Sequence, residues 1–133
     1  MTTYQARTVA VSIDRDWREV YDFVSVPENF PVWAAGLGKG FEGSGDEWRA
    51  EDPEGRPIRI RFSPRNEYGV LDHTVAAGEG PETYNAMRVV SNGTGAEVLF
   101  TVVRMPGTTE DAFGADAAAV ERDLNALKAL LER

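Results

Sequence analysis

The C-terminal part of the sequence carries an apolar stripe that predicts one long amphipathic α-helix. Its members recur at alternating spacings of four and three, at Phe113, Ala117, Val120, Leu124, Leu127 and Leu131. Thr108 or Thr109 can cap the N-terminus of this helix. The acidic Glu110 and Asp111 follow in the first turn, where they suit the positive end of the helix dipole. A helix over residues 108–132 would be roughly 36 Å long, which is enough to cross a whole β-sheet.

The sequence before this helix alternates between apolar and polar residues, as β-strands do. Val9, Val11 and Ile13 share one face of a first strand over about residues 4–13. Residues 36–106 contain six further segments of this kind, separated by short turns rich in Gly, Pro and Asn. Six strands in a row with short turns predict an antiparallel meander, and the first strand completes a seven-stranded sheet.

Residues 14–34, between the first two strands, predict two short helices. Asp14 is the predicted N-cap of the first helix. Its apolar side chains stand at helical spacing, at Trp17, Val20, Tyr21 and Val24. Pro27 ends this helix, and a second short helical segment follows between Pro27 and Trp33.

The turn lengths predict which residues of neighbouring strands lie opposite each other. The loop 53–55 suits a three-residue hairpin, which pairs Trp48 with Ile60. A loop with an even number of residues after the next strand would place Ile58 opposite His73. These turns agree on one apolar face, made of Phe41, Trp48, Ile58, Ile60, Phe62, Leu71, His73, Val75, Met87, Val89, Val98 and Phe100.

The opposite face of the predicted sheet is charged, as a solvated surface should be. Its members are Glu47, Arg49, Glu51, Arg59, Arg61, Arg88 and Glu97. Arg61 with Glu47, and Arg88 with Glu97, are the predicted cross-strand ion pairs, each worth little on a surface.

Composition excludes several classes of function. The sequence has no cysteine, which excludes disulfide scaffolds, thiolate metal sites and cysteine nucleophiles. His73 is the one histidine, so a multi-histidine metal centre is excluded as well. The formal net charge of −8 at pH 7 argues against nucleic acid or an anionic membrane surface as the main partner. We predict no metal and no cofactor.

The length and hydropathy of residues 1–133 predict one domain. No stretch approaches the ~20 apolar residues of a membrane span, so stable membrane insertion is not expected. The first residues lack a charged segment followed by an apolar one, so no secretory signal is predicted and a cytoplasmic protein is the expectation.

Three segments carry a family resemblance: Val11-Ser12-Ile13-Asp14 with the helix that follows it, Pro27-Glu28-Asn29-Phe30-Pro31-Val32-Trp33, and Gly69-Val70-Leu71-Asp72-His73-Thr74-Val75. With the long final helix, they resemble the START-like superfamily, also called Bet v 1-like or SRPBCC. Within it, the chain resembles the bacterial polyketide cyclase/dehydrase-type proteins. The second segment is similar to the family's Asp-Pro-Glu-x-x-Pro-x-Trp motif, with Val26 where the aspartate often stands.

The resemblance implies an α+β helix-grip fold, in which a curved sheet grips the long helix and leaves a cavity between them. Members of the family bind lipids, hormones, polyketides or quinones, and some are enzymes. The side chains expected at the cavity are Trp33, Trp48, Phe62, His73, Asn85, Met87, Phe100, Arg104 and Phe113. For each of these residues the alternative is an ordinary place in the core, or in solvent for the strand-end Arg104.

His73 is the candidate catalytic residue. Its predicted place on the inner face would let an imidazole titrate near neutrality and transfer a proton. The alternative is a buried neutral histidine that is hydrogen-bonded to the backbone or to a hydroxyl. Asp72 precedes it but points to the other face of a strand, so the two are not expected to form a dyad.

Three functions therefore stay open from the sequence. The first is binding of a small hydrophobic, aromatic, polyketide-like or lipid-like molecule in the cavity. The second is a cyclase or dehydratase in which His73 is the general acid/base and Asn85 or Arg104 orients a carbonyl oxygen. The third is a protein–protein interaction module, and the sequence also leaves a homodimer open.

Overall fold

The computed structural model describes residues 1–37 and 39–133. Its strands are β1 Ala6–Ile13, β2 Lys39–Ser44, β3 Glu47–Glu51, β4 Pro57–Phe62, β5 His73–Ala77, β6 Thr83–Asn92 and β7 Gly95–Val103. Its α-helices are α1 Trp17–Val24, α2 Phe30–Trp33 and α3 Glu110–Leu131, with 3-10 turns at Pro27–Asn29 and Ala35–Leu37. None of the described helices is long and apolar enough to span a membrane.

The seven strands form one antiparallel sheet in the order β1-β7-β6-β5-β4-β3-β2. Strands β2 to β7 follow each other as a meander, and β1 pairs with β7 along its whole length, from Ala6 opposite Val103 to Ile13 opposite Ala96. Helix α3 contacts β1, β7 and α2. The predicted seven-stranded sheet with a long C-terminal helix is therefore confirmed.

Helix α3 forms where its capping and its apolar stripe predict it. The Thr109 hydroxyl accepts a hydrogen bond from the Ala112 N–H at 3.1 Å and caps the helix. Five of the six stripe residues are buried, namely Phe113, Ala117, Leu124, Leu127 and Leu131. Val120 is partly exposed and borders a cavity.

The start of α1 differs from the prediction. Asp16, not Asp14, is the N-cap, and its carboxylate accepts a hydrogen bond from the Arg18 N–H at 2.9 Å. The backbone N–H of Asp14 instead donates to the Glu132 carboxylate at 2.8 Å. The chain thus makes a turn after β1 that is tied to the end of α3, and the helix begins two residues later than predicted.

The strand register was predicted correctly at one loop and wrongly at another. Trp48 lies opposite Ile60, as the three-residue loop requires. Phe62, however, and not Ile58, lies opposite His73. Residues 63–72 form a long loop rather than a tight hairpin. The error spans four positions, an even number, so the face on which each side chain lies is unchanged.

The side chain of Asn66 organises this long loop. Its amide oxygen accepts from the Tyr68 and Val70 N–H groups at 2.9 and 3.1 Å, and its amide nitrogen donates to the Val70 carbonyl at 2.9 Å. The Tyr21 hydroxyl of α1 accepts from the Asn66 N–H at 2.7 Å. These bonds satisfy backbone groups that a strand ladder would otherwise pair, so the segment is stable without being a strand.

The charged outer face of the sheet contains one of the two predicted ion pairs. The Arg61 Nε lies 3.9 Å from a carboxylate oxygen of Glu47, as predicted. The prediction for Arg88 and Glu97 is wrong, because Arg88 pairs with Asp72 instead. Glu97 accepts hydrogen bonds from Ser12 at 2.5 Å and from Asn92 at 3.0 Å.

Candidate functional site

A cavity of about 230 Å³ lies between the inner face of the sheet and the helices. The strands contribute Ile58, His73, Val75, Asn85 and Phe100 to its wall. The helical segments contribute Phe30, Trp33, Ala34, Gly36, Leu37, Val120, Asp123 and Leu124. Most of these side chains are apolar, and the polar ones are few, which is typical of a small-molecule site.

The size of the cavity limits what can fill it. A volume of about 230 Å³ exceeds the roughly 150 Å³ of a cavity that holds benzene. It is below the ~300–1,000 Å³ of pockets for drug-sized ligands. A ligand with one or two rings fits this range.

His73 stands in an aromatic surrounding at the wall of this cavity. It begins β5, where Phe62 of β4 lies opposite on one side and Asn85 of β6 on the other. Its ring centroid lies 5.1 Å from that of Phe30, 6.1 Å from that of Phe62 and 5.8 Å from that of Phe100. The side chain is 4% exposed, so water has little access to the imidazole.

A hydrogen bond to the backbone fixes the tautomer of His73. Nδ1 lies 3.1 Å from the carbonyl oxygen of Leu71, and because a carbonyl only accepts, Nδ1 carries the hydrogen. Burial lowers the pKa of His73 and outweighs the opposing effects of the Leu71 carbonyl and of Asp72. The neutral imidazole therefore presents Nε2 as a hydrogen-bond acceptor, for which the described part of the chain gives no donor.

Asp72 explains why the Leu71 carbonyl is available to His73. The Leu71 N–H donates to the Met87 carbonyl at 2.9 Å, and a regular antiparallel pair would return a bond from Met87 to Leu71. The Met87 N–H instead donates to the Asp72 carboxylate at 2.8 Å. The Leu71 carbonyl, which lacks the usual bond from Met87, accepts a hydrogen bond from the imidazole of His73. Asp72 and His73 therefore both bond to backbone groups at this interruption of the strand ladder.

Asp72 is itself a buried carboxylate with four donors around it. Arg88 donates to both of its oxygens, at 3.0 and 2.8 Å, and the Tyr84 hydroxyl donates to one of them. Burial alone would raise the pKa of Asp72. The hydrogen bonds from Arg88, Tyr84 and the Met87 N–H outweigh it and lower the pKa to about 2. Asp72 is therefore ionised and structural rather than a proton donor.

Trp33, which lines the cavity, contains a buried polar atom without a hydrogen-bond partner. Its side chain lines the cavity and is 4% exposed, and its ring packs edge-on against Phe30 at 4.9 Å. The indole Nε1 is buried and has no hydrogen-bond acceptor among the described residues. Leaving such a donor unpaired costs roughly 1–3 kcal/mol.

Asp123 of α3 brings a carboxylate to the cavity wall. It accepts a hydrogen bond from the Ala35 N–H at 3.3 Å. Burial raises the pKa of Asp123, against smaller lowering effects of this bond and of Arg122. Asp123 was not among the predicted site residues, because the helical stripe contains apolar residues only. Its position next to Leu124 in the stripe is the signal that could have found it.

The predicted site residues divide into those at the cavity and those elsewhere. Trp33, His73, Asn85 and Phe100 line the cavity. Phe62 and Met87 lie beside it and line a smaller void of about 20 Å³, which they share with Trp33 and His73.

The other three predicted residues lie away from the cavity. Trp48 stacks on Phe41 with ring centroids 4.9 Å apart, and its Nε1 donates to the Gly45 carbonyl at 2.9 Å. Arg104 donates to the Thr108 carbonyl at 2.8 Å and to the Gln5 side chain at 3.3 Å. Phe113 is buried near the start of α3.

Comparison with known proteins finds similar structures. No protein-family model and no curated protein matches the sequence. An uncharacterised protein from Bacillus thuringiensis has a TM-score of 0.75 and 15% identity, over 96% of this chain and 98% of that one. Ara h 8.0201 has a TM-score of 0.71 and 11% identity, over 96% and 97% of the two chains.

DynU16, a protein of the dynemicin biosynthetic locus, is also similar. Its TM-score is 0.73 and its identity 18% over 96% of this chain. The present chain spans about half the length of DynU16, 47%. At these identities the comparisons show the fold, and it is the one that the sequence predicts.

Proposed function

From the Bet v 1-like (START-like, SRPBCC) helix-grip fold of this chain, we propose that its cavity binds a small aromatic or otherwise hydrophobic molecule. The observation that carries the proposal is an apolar wall that includes the imidazole of His73, whose Nε2 has no hydrogen-bond donor among the described residues. A void left by imperfect packing would be lined by apolar groups only. Polar groups that are buried at a cavity wall are instead typical of a site that orients a ligand.

The polar atom at the wall defines the ligand further. The neutral imidazole of His73 accepts a hydrogen bond through Nε2. A hydroxyl group can donate that bond, and ring faces suit the neighbouring Phe30 and Phe100. A hydroxylated compound of one or two rings is therefore the proposed ligand type. The place of DynU16 in a biosynthetic locus supports a ligand of natural-product type.

The test uses 2-naphthol, a neutral two-ring phenol, as the probe. At a concentration one hundred times its dissociation constant, a ligand of the folded state adds about 2.7 kcal/mol to the stability. For a chain of this length the melting temperature should rise by roughly 10 °C, as measured by calorimetry. An unchanged melting temperature with 2-naphthol, with a fatty acid and with a quinone would contradict the proposal.

An enzyme that acts on such a ligand is the second candidate, and the free Nε2 of His73 favours it. A neutral imidazole in a dry cavity can accept a proton from a bound substrate. Asn85, which lies opposite His73 on β6 and lines the same cavity, is placed to orient a carbonyl oxygen. The molecule that co-purifies with His73→Gln should then be converted by the wild-type protein into a cyclised isomer or a product that has lost water, seen by chromatography and mass spectrometry, whereas fresh His73→Gln should leave it unchanged. A molecule that the wild-type protein also leaves unchanged would support binding alone.

A further inference from the structure

The charges around the cavity bear on which ligands it accepts. Of the described residues that line it, Asp123 carries a carboxyl group and none is a lysine or an arginine. Arg122, the neighbour of Asp123 in α3, is exposed and is not part of the wall. Any ligand in this cavity therefore meets a carboxylate and no compensating cation.

Arg104, which was predicted among the cavity residues, does not supply that cation. Its guanidinium donates to the Thr108 carbonyl and to the Gln5 side chain, between the end of β7 and the start of α3. His73 supplies none either, because burial lowers its pKa and keeps the imidazole neutral. The remaining donors at the wall, Trp33 Nε1 and the Asn85 amide, are uncharged.

Asp123 has room to interact with a ligand. One of its carboxylate oxygens accepts the Ala35 N–H at a long 3.3 Å, and the described residues give it no ion-pair partner. Its partial burial raises its pKa, which shows that the protein solvates this charge poorly. A positive or hydrogen-donating group on a ligand would improve that solvation, whereas a second carboxylate would worsen it.

We infer that the cavity selects neutral or amine-bearing aromatic molecules and rejects aromatic carboxylic acids, with Asp123 as the residue that discriminates. The inference rests on the proposed function and specifies its ligand class. Two like charges in one partly buried site repel, and a carboxylate must also leave water without a cation to receive it. We expect a carboxylate to bind about tenfold more weakly than a neutral compound of the same shape.

Three probes of one shape test this inference at pH 7.5: 2-naphthol, 2-naphthylmethylamine and 2-naphthoate. Isothermal titration calorimetry should give the wild type about tenfold weaker binding of 2-naphthoate than of the other two. Asp123→Asn should strengthen binding of 2-naphthoate about tenfold and weaken that of the amine by a similar factor. Its affinity for 2-naphthol should stay within about threefold.

Asp116→Asn is the matched control, because Asp116 is an exposed acid on the same helix and its replacement changes the net charge equally. This variant should behave as the wild type with all three probes. Equal affinity of the wild type for 2-naphthol and 2-naphthoate would overturn the inference and leave the proposed function standing. A control that matches Asp123→Asn would overturn it too, because net charge would then be the cause. Binding of none of the probes would overturn the inference, and it would overturn the proposed function as well if a fatty acid and a quinone also leave the melting temperature unchanged.

Discussion

Val120→Trp should weaken the binding of 2-naphthol about 100-fold. Val120 lies on α3, lines the cavity and is partly exposed, so an indole there takes space that the ligand needs. A two-ring ligand buries about as much surface as an aromatic side chain, ~150–250 Å². At ~25 cal/mol per Å² this burial contributes roughly 4–6 kcal/mol. Losing about half of it corresponds to ~30–150-fold in affinity.

The control for this prediction places the same substitution outside the cavity. Val90 on β6 is 46% exposed, and Val90→Trp should leave the affinity for 2-naphthol within about twofold. Titration calorimetry measures both variants, and thermal unfolding checks that Val120→Trp is folded. A folded Val120→Trp variant that binds 2-naphthol as the wild type does would place the ligand elsewhere.

Asp72→Ala should lower the free energy of unfolding by about 2.5–6 kcal/mol. The substitution leaves the buried Met87 N–H without its acceptor, at a cost of ~1–3 kcal/mol, and removes charge-assisted bonds from Arg88 worth ~1.5–3 kcal/mol. Arg88 is half-exposed, so water can solvate its charge after the substitution. The unpaired guanidinium therefore adds no further loss of stability. Urea unfolding measures the change. Asp22→Ala, which breaks the exposed pair with Arg65, should cost less than about 1 kcal/mol.

The same carboxylate predicts how stability depends on pH. The pKa of Asp72 is about 2 in the fold and 3.8 when unperturbed, so its folded-state pKa is depressed. Its contribution is complete above about pH 4 and is lost as the pH falls through about 2. The difference between the two pKa values corresponds to about 2 kcal/mol of folding free energy. The difference in stability between wild type and Asp72→Asn should shrink by that amount from pH 5 to pH 2, and a constant difference would contradict the assigned role.

The fold was largely predictable from the sequence, because its signals are local and periodic. Alternation defined the strands and the stripe from Phe113 to Leu131 defined α3. Side chains alternate between the two faces of a strand, so an error of an even number of residues leaves each side chain on its face. His73 was therefore placed on the inner face although its partner was misassigned by four positions. The loop 63–72 was missed because side-chain bonds of Asn66 hold it, and such bonds leave no periodic pattern.

The site was less predictable, since parity states which face a side chain is on but not where along the sheet it lies. Trp48 and Arg104 share the parity of His73, yet they lie away from the cavity. Asp123 and the Asp72 network depend on contacts between segments distant in sequence. The bond between Asp72 and the Met87 N–H, for example, depends on the pairing of the segment before β5 with β6, which no turn length predicted.

A crystal structure of the complex with 2-naphthol shows directly whether the cavity is the binding site. We expect the naphthalene ring in the cavity between Trp33 and Phe100, with the hydroxyl within ~2.7–3.2 Å of His73 Nε2. That geometry would give Nε2 the donor that it lacks. A ring bound on the outer face of the sheet, or a cavity left unoccupied at saturating 2-naphthol, would contradict the account.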